Sequence, residues 1–282
     1  MARAQLVPEF AAGAPVSVLV DYDGTVSLAD VGDVLLARHA LVDRAVVAAR
    51  DAEYRAGLAG SRDLMQWDMD VLPRDGALLR LEAAAIPQDA TFPAFVAAVR
   101  AAGAAIEIVS DGLGFYVAAK LARLDPSLAD LPIATNETDV DGSGRMTFPY
   151  GHPECFVCGT CKRERVRAHG VGGRVVVFVG DGLSDRYAVH HADIAFAKGP
   201  LLEWARATGR EVLDWETFAD IEAWFRASLA GGRLPARAED LPRWRATHRP
   251  RRPDFICGPE AWGPGRTLPR PLDEPVTGGG AR

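Results

Sequence analysis

Basic residues are in deficit. Lys and Arg number 32 against 38 Asp and Glu, giving a net charge of −6 over 282 residues. That shortfall argues against a general nucleic-acid binder, which needs a basic excess to meet phosphates. Long apolar runs are missing as well. No stretch approaches the roughly 18 residues needed to cross a bilayer, so no membrane partner is expected. Met1 to Phe10 lacks the apolar core and cleavage pattern of a signal peptide, and the expected location is cytoplasmic. Cysteine is scarce, four residues in all. Three of them, Cys155, Cys158 and Cys161, crowd one short segment just after His152. Three thiolates and an imidazole suit tetrahedral zinc. One short segment does not easily wrap four ligands around one ion, however, so buried or free thiols are the favoured reading. No internal repeat is visible.

What is present is ordinary in amount and regular in order. Hydrophobic residues make up 48% and charged residues 25%, as in a globular domain. Val16 to Val20 is a short Val-rich run that stops at Asp21-Tyr22-Asp23-Gly24. Ala104 to Val109 stops at Ser110-Asp111-Gly112, Arg174 to Val179 at Gly180-Asp181-Gly182, and Ile194 to Ala197 at Lys198-Gly199-Pro200. Such runs fit strands buried on both faces of a parallel sheet. Helical patterns at 92–102, 115–124, 162–169 and 201–208 alternate with them, which predicts an α/β fold with a mostly parallel sheet. In such sheets ligands bind beyond the carboxyl ends of the strands, where these polar clusters lie.

Between the first and second strands the pattern changes. Residues 29–40, 42–57, 61–71 and 74–85 read as helices without a good strand among them, predicting a helical cap at 29–85 inserted into a core of 1–28 and 86–230. Residues 132–140 and 145–148 read as a β-hairpin around Asp141-Gly142-Ser143-Gly144. From about Gly231 the chain is dense in Pro, Gly and Arg, with Arg249, Arg251 and Arg252 clustered. That composition predicts a poorly ordered or surface-wrapping tail, 231–282.

Several of the strand-end residues have a chemical reading and a plainer one. Two carboxylates two positions apart on extended backbone, Asp21 and Asp23, can face one pocket. One can attack phosphorus and the other move the proton, although the same tetrapeptide occurs in turns and calcium loops. Ser110 can hydrogen-bond a phosphoryl oxygen or merely open a turn. Lys162 can neutralise a nucleophile and a phosphoryl group or lie solvated. Asp181 and Asp185 can hold Mg2+, which takes a few carboxylates and keeps its waters; Asp185 is equally a helix N-cap. Asp30 stands at a predicted helix start, where it can cap the helix or meet the substrate away from its phosphate. His190 and His191 read as structural, and Trp67, Trp204, Trp215 and Trp224 as packing.

Taken together, Asp21-Tyr22-Asp23-Gly24-Thr25, Val109-Ser110-Asp111-Gly112, Lys162 and Gly180-Asp181-Gly182-Leu183-Ser184-Asp185 resemble the four-part signature of the haloacid dehalogenase superfamily. The helical insert resembles the cap of its phosphoserine-phosphatase-like subgroup. The stretches 21–36, 110–117, 158–162 and 196–198 are similar to the methionine-salvage phosphatases acting on a methylthio-enol phosphate. The resemblance spans about 16–225 and leaves the tail uncovered. It implies a Rossmann-like core with helices on both faces of the sheet and a magnesium-dependent phosphatase of small-molecule phosphomonoesters, without naming the substrate. By the same resemblance Asp21 is nucleophile and metal ligand. Asp23 is the acid/base and lends its backbone carbonyl to the metal, Asp181 is a ligand, and Asp185 supports the metal shell. Thr25, Ser110, Asp111 and Lys162 surround the phosphate. Transfer of the phosphoryl group to another acceptor, as a phosphotransferase or mutase, fits the same residues. A catalytically idle binding module is disfavoured by the intact Asp23 and metal-side aspartates.

Overall fold

The computed structural model describes residues 13–55, 58–153, 155 and 157–248. In chain order the elements are β1 (Val16–Val20), α1 (Val31–His39), α2 (Arg44–Arg55), α3 (Ser61–Val71), α4 (Gly76–Ala85), α5 (Phe92–Ala101), β2 (Ala105–Val109), α6 (Val117–Leu124), β3 (Ile133–Ala134), β4 (Glu137–Thr138) and β5 (Met146–Thr147). They continue with α7 (Lys162–Gly170), β6 (Val175–Gly180), α8 (Arg186–Val189), β7 (Ile194–Ala197), α9 (Gly199–Ala207), β8 (Leu213–Asp214), α10 (Phe218–Ala230) and α11 (Leu241–Thr247).

Six strands form one sheet in the order β3-β2-β1-β6-β7-β8, and every pair in it is parallel. β1 is buried throughout. Its side chains alternate between two apolar layers. Val16, Val18 and Val20 join Phe92 and Phe95 of α5, Leu121 of α6 and Phe218 of α10. Leu19 joins Val166 of α7, Val189 of α8 and Leu201 of α9 on the opposite face. This two-sided burial is why the strands read as Val-rich runs and not as alternating patterns. The strand order reverses between β1 and β6, which opens a crevice at their carboxyl ends.

α1 to α4 all lie between β1 and β2, as the pattern over 29–85 predicts. The chain leaves and returns at one place. Ser27 bridges Gln88, Leu28 N–H donates to Pro87 O at 2.9 Å, and Asp89 N–H donates to Val26 O at 2.9 Å. The buried Lys120 ammonium, from α6, donates to Ala83 O and Ile86 O at 2.7 Å each, holding the end of α4 where carbonyls lack helical partners.

Two expectations need correction. The hairpin is shorter than predicted: its first arm splits, Ile133–Ala134 extending the parallel sheet beside β2 while only Glu137–Thr138 pairs antiparallel with Met146–Thr147. Of the two forms expected for the chain past Gly231, poorly ordered or surface-wrapping, the first does not hold for residues 231–248. Leu234 and Trp244 are buried in the main core, and Arg245 of α11 donates to Asp193 at 2.7 Å. Burial of two large apolar side chains supplies what the Pro/Gly/Arg composition conceals. Arg249, Arg251 and Arg252 lie outside the described residues. Among the described residues no helix is long and apolar enough to cross a membrane.

Candidate active site

β1 ends by carrying its ladder one residue further: Asp21 N–H donates to Val179 O at 2.9 Å. The chain then turns tightly, with the N–H groups of Thr25, Val26 and Ser27 all aimed at Tyr22 O. Gly24 makes this turn at φ +73°, and a Cβ there would lie 2.1 Å from Asp181 Oδ2. Both its conformation and its closeness to β6 therefore require glycine. Thr25 Oγ1 donates to Asp181 Oδ1 at 2.6 Å.

Lys162 opens α7 and is buried. Its ammonium stands 2.8 Å from Asp21 Oδ1 and 2.6 Å from Asp185 Oδ1, and donates to Ser184 Oγ. Burial disfavours its charge, but the Asp185 and Asp21 carboxylates outweigh this and hold its pKa above the usual lysine value. Asp185 is saturated: its Oδ2 accepts from the N–H groups of Asp181 and Gly182 at 3.0 Å each. It thus grips the turn after β6 with one oxygen and Lys162 with the other.

Oxygens of Asp21, Asp181 and Asp185 lie within 4.8 Å of one another. Asp185 is committed to Lys162 and the turn after β6, so Asp21 and Asp181 are the hard oxygen donors this cluster offers to Mg2+. The crowding shows in the protonation of Asp21 and Asp181. Burial, then the Asp185 charge, push Asp21 well above the ordinary carboxylate range, and the same two causes push Asp181 up to about 7. Asp21 Oδ1 accepts from Tyr22 N–H at 2.7 Å as well as from Lys162.

Asp23 faces the same crevice. Tyr116 OH donates to its Oδ2 at 2.6 Å, Ser110 Oγ lies 3.5 Å from that oxygen, and Val31 N–H, in the first turn of α1, donates to Oδ1 at 3.2 Å. Burial, then the neighbouring Asp30 charge, lift Asp23 to about 8. A Cβ on Gly112 would fall 2.1 Å from Asp23 Oδ2, so the Ser110-Asp111-Gly112 turn packs directly against this carboxyl.

Asp111 stands apart from the rest of its motif. Ser61 Oγ donates to its Oδ2 at 2.6 Å, and Thr160 N–H and the Asn136 amide donate to its Oδ1. Its carboxylate ties α3 to the loop before Lys162. Asp30 caps α1, accepting from Asp33 N–H at 2.9 Å, and also lines the cavity above Asp21 and Asp23. That cavity measures about 240 Å³ and takes its other wall from the helical insert, including Tyr54, Met65 and Asp68. Cys155, Cys158 and Cys161 form no disulfide among the described residues, and the ligand set brought within reach of one ion there is made of aspartates.

Tyr116 is the residue that sequence reasoning missed. Its position inside the predicted 115–124 helix carries no local signal of a role; it is buried against Tyr22, and only the fold reveals that its hydroxyl meets Asp23.

The sequence model of the haloacid dehalogenase-like hydrolase family matches residues 18–190. A 2-hydroxy-3-keto-5-methylthiopentenyl-1-phosphate phosphatase from Exiguobacterium sp. strain AT1b is 29% identical over 143 residues, 49% of this chain and 63% of the relative. The polyol phosphate phosphatase PYP1 of Saccharomyces cerevisiae is 27% identical over 141 residues, covering 46% and 58%. The matched stretch thus spans less than two thirds of these relatives. A solved phosphoserine phosphatase carrying a phospho-aspartyl intermediate analogue superposes with a TM-score of 0.56 at 17% identity, covering 76% of this chain and 99% of that one. At that identity the likeness speaks for the fold, while the sequence match covers the strands bearing Asp21, Ser110 and Asp181 together with Lys162. The chain is a member of the haloacid dehalogenase-like hydrolase family.

Proposed function

We propose that the protein is a magnesium-dependent phosphatase that hydrolyses a small-molecule phosphomonoester through a phosphorylated Asp21. The observation carrying this reading is the division of labour between two neighbouring carboxyls. Asp21 is oriented through one oxygen by Lys162 and Tyr22 N–H. Asp23, with no ion pair to Lys162 among the described residues, is held instead by Tyr116 OH and Val31 N–H, which leaves it placed to carry a proton as a general acid.

Asp21 Oδ2 attacks phosphorus, and the bond to the leaving oxygen breaks as Asp23 delivers its proton there. Asp23, now a carboxylate, takes a proton from water. That water's oxygen attacks phosphorus, the acyl-phosphate bond breaks back to Asp21, and inorganic phosphate leaves with both carboxyls restored. Lys162, Thr25, Ser110 and the backbone N–H groups beside them hold the phosphoryl oxygens. The carboxylate of Asp111 is committed to Ser61, Thr160 and Asn136, so a contribution from that position falls to its backbone. Mg2+ would be held by Asp21, Asp181 and the Asp23 carbonyl, and when bound it supplies charge neutralisation for nucleophile and phosphoryl group. Asp185 keeps Lys162 and the Asp181 turn in place. The helices α1 to α4 act as a cap that limits water and shapes the leaving-group space.

The test is phosphate release by purified full-length protein from a panel of phosphomonoesters, with Mg2+ and with excess chelator. Activity should vanish in chelator, and Asp181→Asn should raise the Mg2+ concentration for half-maximal rate by at least about tenfold. Full activity in metal-free protein would sink the metal assignment. Tyr116→Phe removes a donor to Asp23 and should slow alkyl phosphates about tenfold. It should affect an activated aryl phosphate far less, since that leaving oxygen needs no proton. Equal losses on both substrates would deny Tyr116 its part in positioning the acid.

A further inference from the structure

We propose that the cavity holds a cation subsite, built on Asp68 with Asp33 and Asp51, that receives a protonated amine on the leaving-group side of the substrate. This deepens the phosphatase reading and rests on it. Asp68, on α3, is only 7% exposed, lines the cavity, and its Oδ1 is buried with no hydrogen-bond partner among the described residues. A buried carboxylate oxygen without a donor is costly, and its natural complement is a ligand that brings N–H groups.

The surroundings specify the charge of that ligand. Asp33 and Asp51 line the same cavity, as does Asp30. Burial, then the charges of Asp30 and Asp33, push Asp68 up to about 8, with Arg50 opposing and Asp51 adding to the effect. Arg50 is engaged by Glu53 at 2.7 Å. Arg55, the guanidinium that lines the cavity, donates to Asp51 at 2.7 Å, and Lys162 is committed to Asp21 and Asp185. Acidic side chains therefore outnumber basic ones on the insert's side of the cavity, and burial holds Asp68 toward its neutral form until a cation arrives. A substrate carrying its own positive charge brings the compensation with it.

A second metal is disfavoured: among the described residues the carboxylates that converge within 4.8 Å of one another are Asp21, Asp181 and Asp185 alone. Leu64 and Met65 from α3 offer an apolar wall to a short alkyl stem, and the Tyr54 ring adds a surface suited to a cation.

The experiment separates this subsite from the chemistry. Titration calorimetry of the magnesium-loaded full-length protein would compare 2-aminoethyl- and 3-aminopropylphosphonate with propylphosphonate, none of which can be hydrolysed. We expect an amine to bind at least thirtyfold tighter than propylphosphonate. Asp68→Asn should cut that preference at least tenfold, while Asp43→Asn, outside the cavity lining, should leave it unchanged. Equal binding of amine and alkyl compounds, or binding of neither, would overturn the proposal, as would a preference untouched by Asp68→Asn. Should Asp68→Asn fail to fold, the wild-type comparison alone decides. Amine-selective binding without hydrolysis of any phosphate ester would remove the phosphatase reading and keep the subsite. Hydrolysis without amine selectivity would do the reverse.

Discussion

An Asp21→Asn protein is expected to lose at least about a hundredfold in kcat while staying folded. The substitution keeps the size of the side chain and its place beside Tyr22 N–H, but an amide does not attack phosphorus. The fold should tolerate it because Lys162 keeps Asp185 as partner at 2.6 Å, and because the wild-type carboxyl is itself disfavoured as an anion by burial and by Asp185. Phosphate release and intact-protein mass after quenching in acid are the measurements. The wild type should show a phosphorylated fraction and the variant none. More than about a hundredth of the wild-type rate in Asp21→Asn would mean that another group is the nucleophile.

The largest stability effect is expected on the opposite side of the sheet's centre, at Glu107→Ala. Glu107 sits in β2 at 1% exposure. Arg165 Nη2 lies 2.7 Å from each of its oxygens, and His169 Nε2 contacts Oε2. Truncating Glu107 leaves the Arg165 charge buried and unpaired, a loss of about 3–5 kcal/mol. Its pH dependence has a definite sign. Burial alone would raise the Glu107 carboxyl, but His169 and Arg165 outweigh it and hold it below the ordinary range. Its stabilisation is therefore present above the unfolded glutamate pKa of about 4.3 and disappears as pH falls through its lower folded value. Urea midpoints from pH 7 down to pH 3 should show a steep acid limb in the wild type and a shallower one in Glu107→Ala. Identical midpoints at pH 7 would refute the assignment. Lys162, Arg165 and His169 lie along one buried stripe of α7, so loosening Glu107 should also lower turnover by releasing the helix that presents Lys162.

That stripe shows where the sequence stops being legible. α7 reads Lys-Arg-Glu-Arg-Val-Arg-Ala-His-Gly, the composition of a solvated helix, yet Lys162, Arg163, Arg165 and His169 are buried. The partners of Lys162, Arg165 and His169 come from the end of β1, from β2 and from the turn after β6, and no local pattern announces a pairing across such separations. The central strands were legible for the opposite reason: burial on both faces selects branched apolar residues, whose runs need no partner to be recognised. β3 and β8 have two residues each, too few for any periodicity, and exist because a neighbouring strand offers an open edge. Asp21, Asp23, Lys162, Asp181 and Asp185 do meet in one place, because strand ends in a parallel sheet share one rim. The partners of Asp111 were hidden, since Ser61, Asn136 and Thr160 reach it from three separate segments.

The single rung that joins Ser27 to Gln88 gives the protein a kind of parenthesis. Whatever is written between residues 28 and 87 opens and closes on neighbouring backbone atoms, so its length does not reach the register of β1 against β2. On the proposed function, reaction chemistry belongs to one part of the text and the choice of leaving group to the other. The same closure makes a practical graft point: exchanging residues 29–86 between relatives should transfer preference while leaving the strands carrying Asp21 and Ser110 in register.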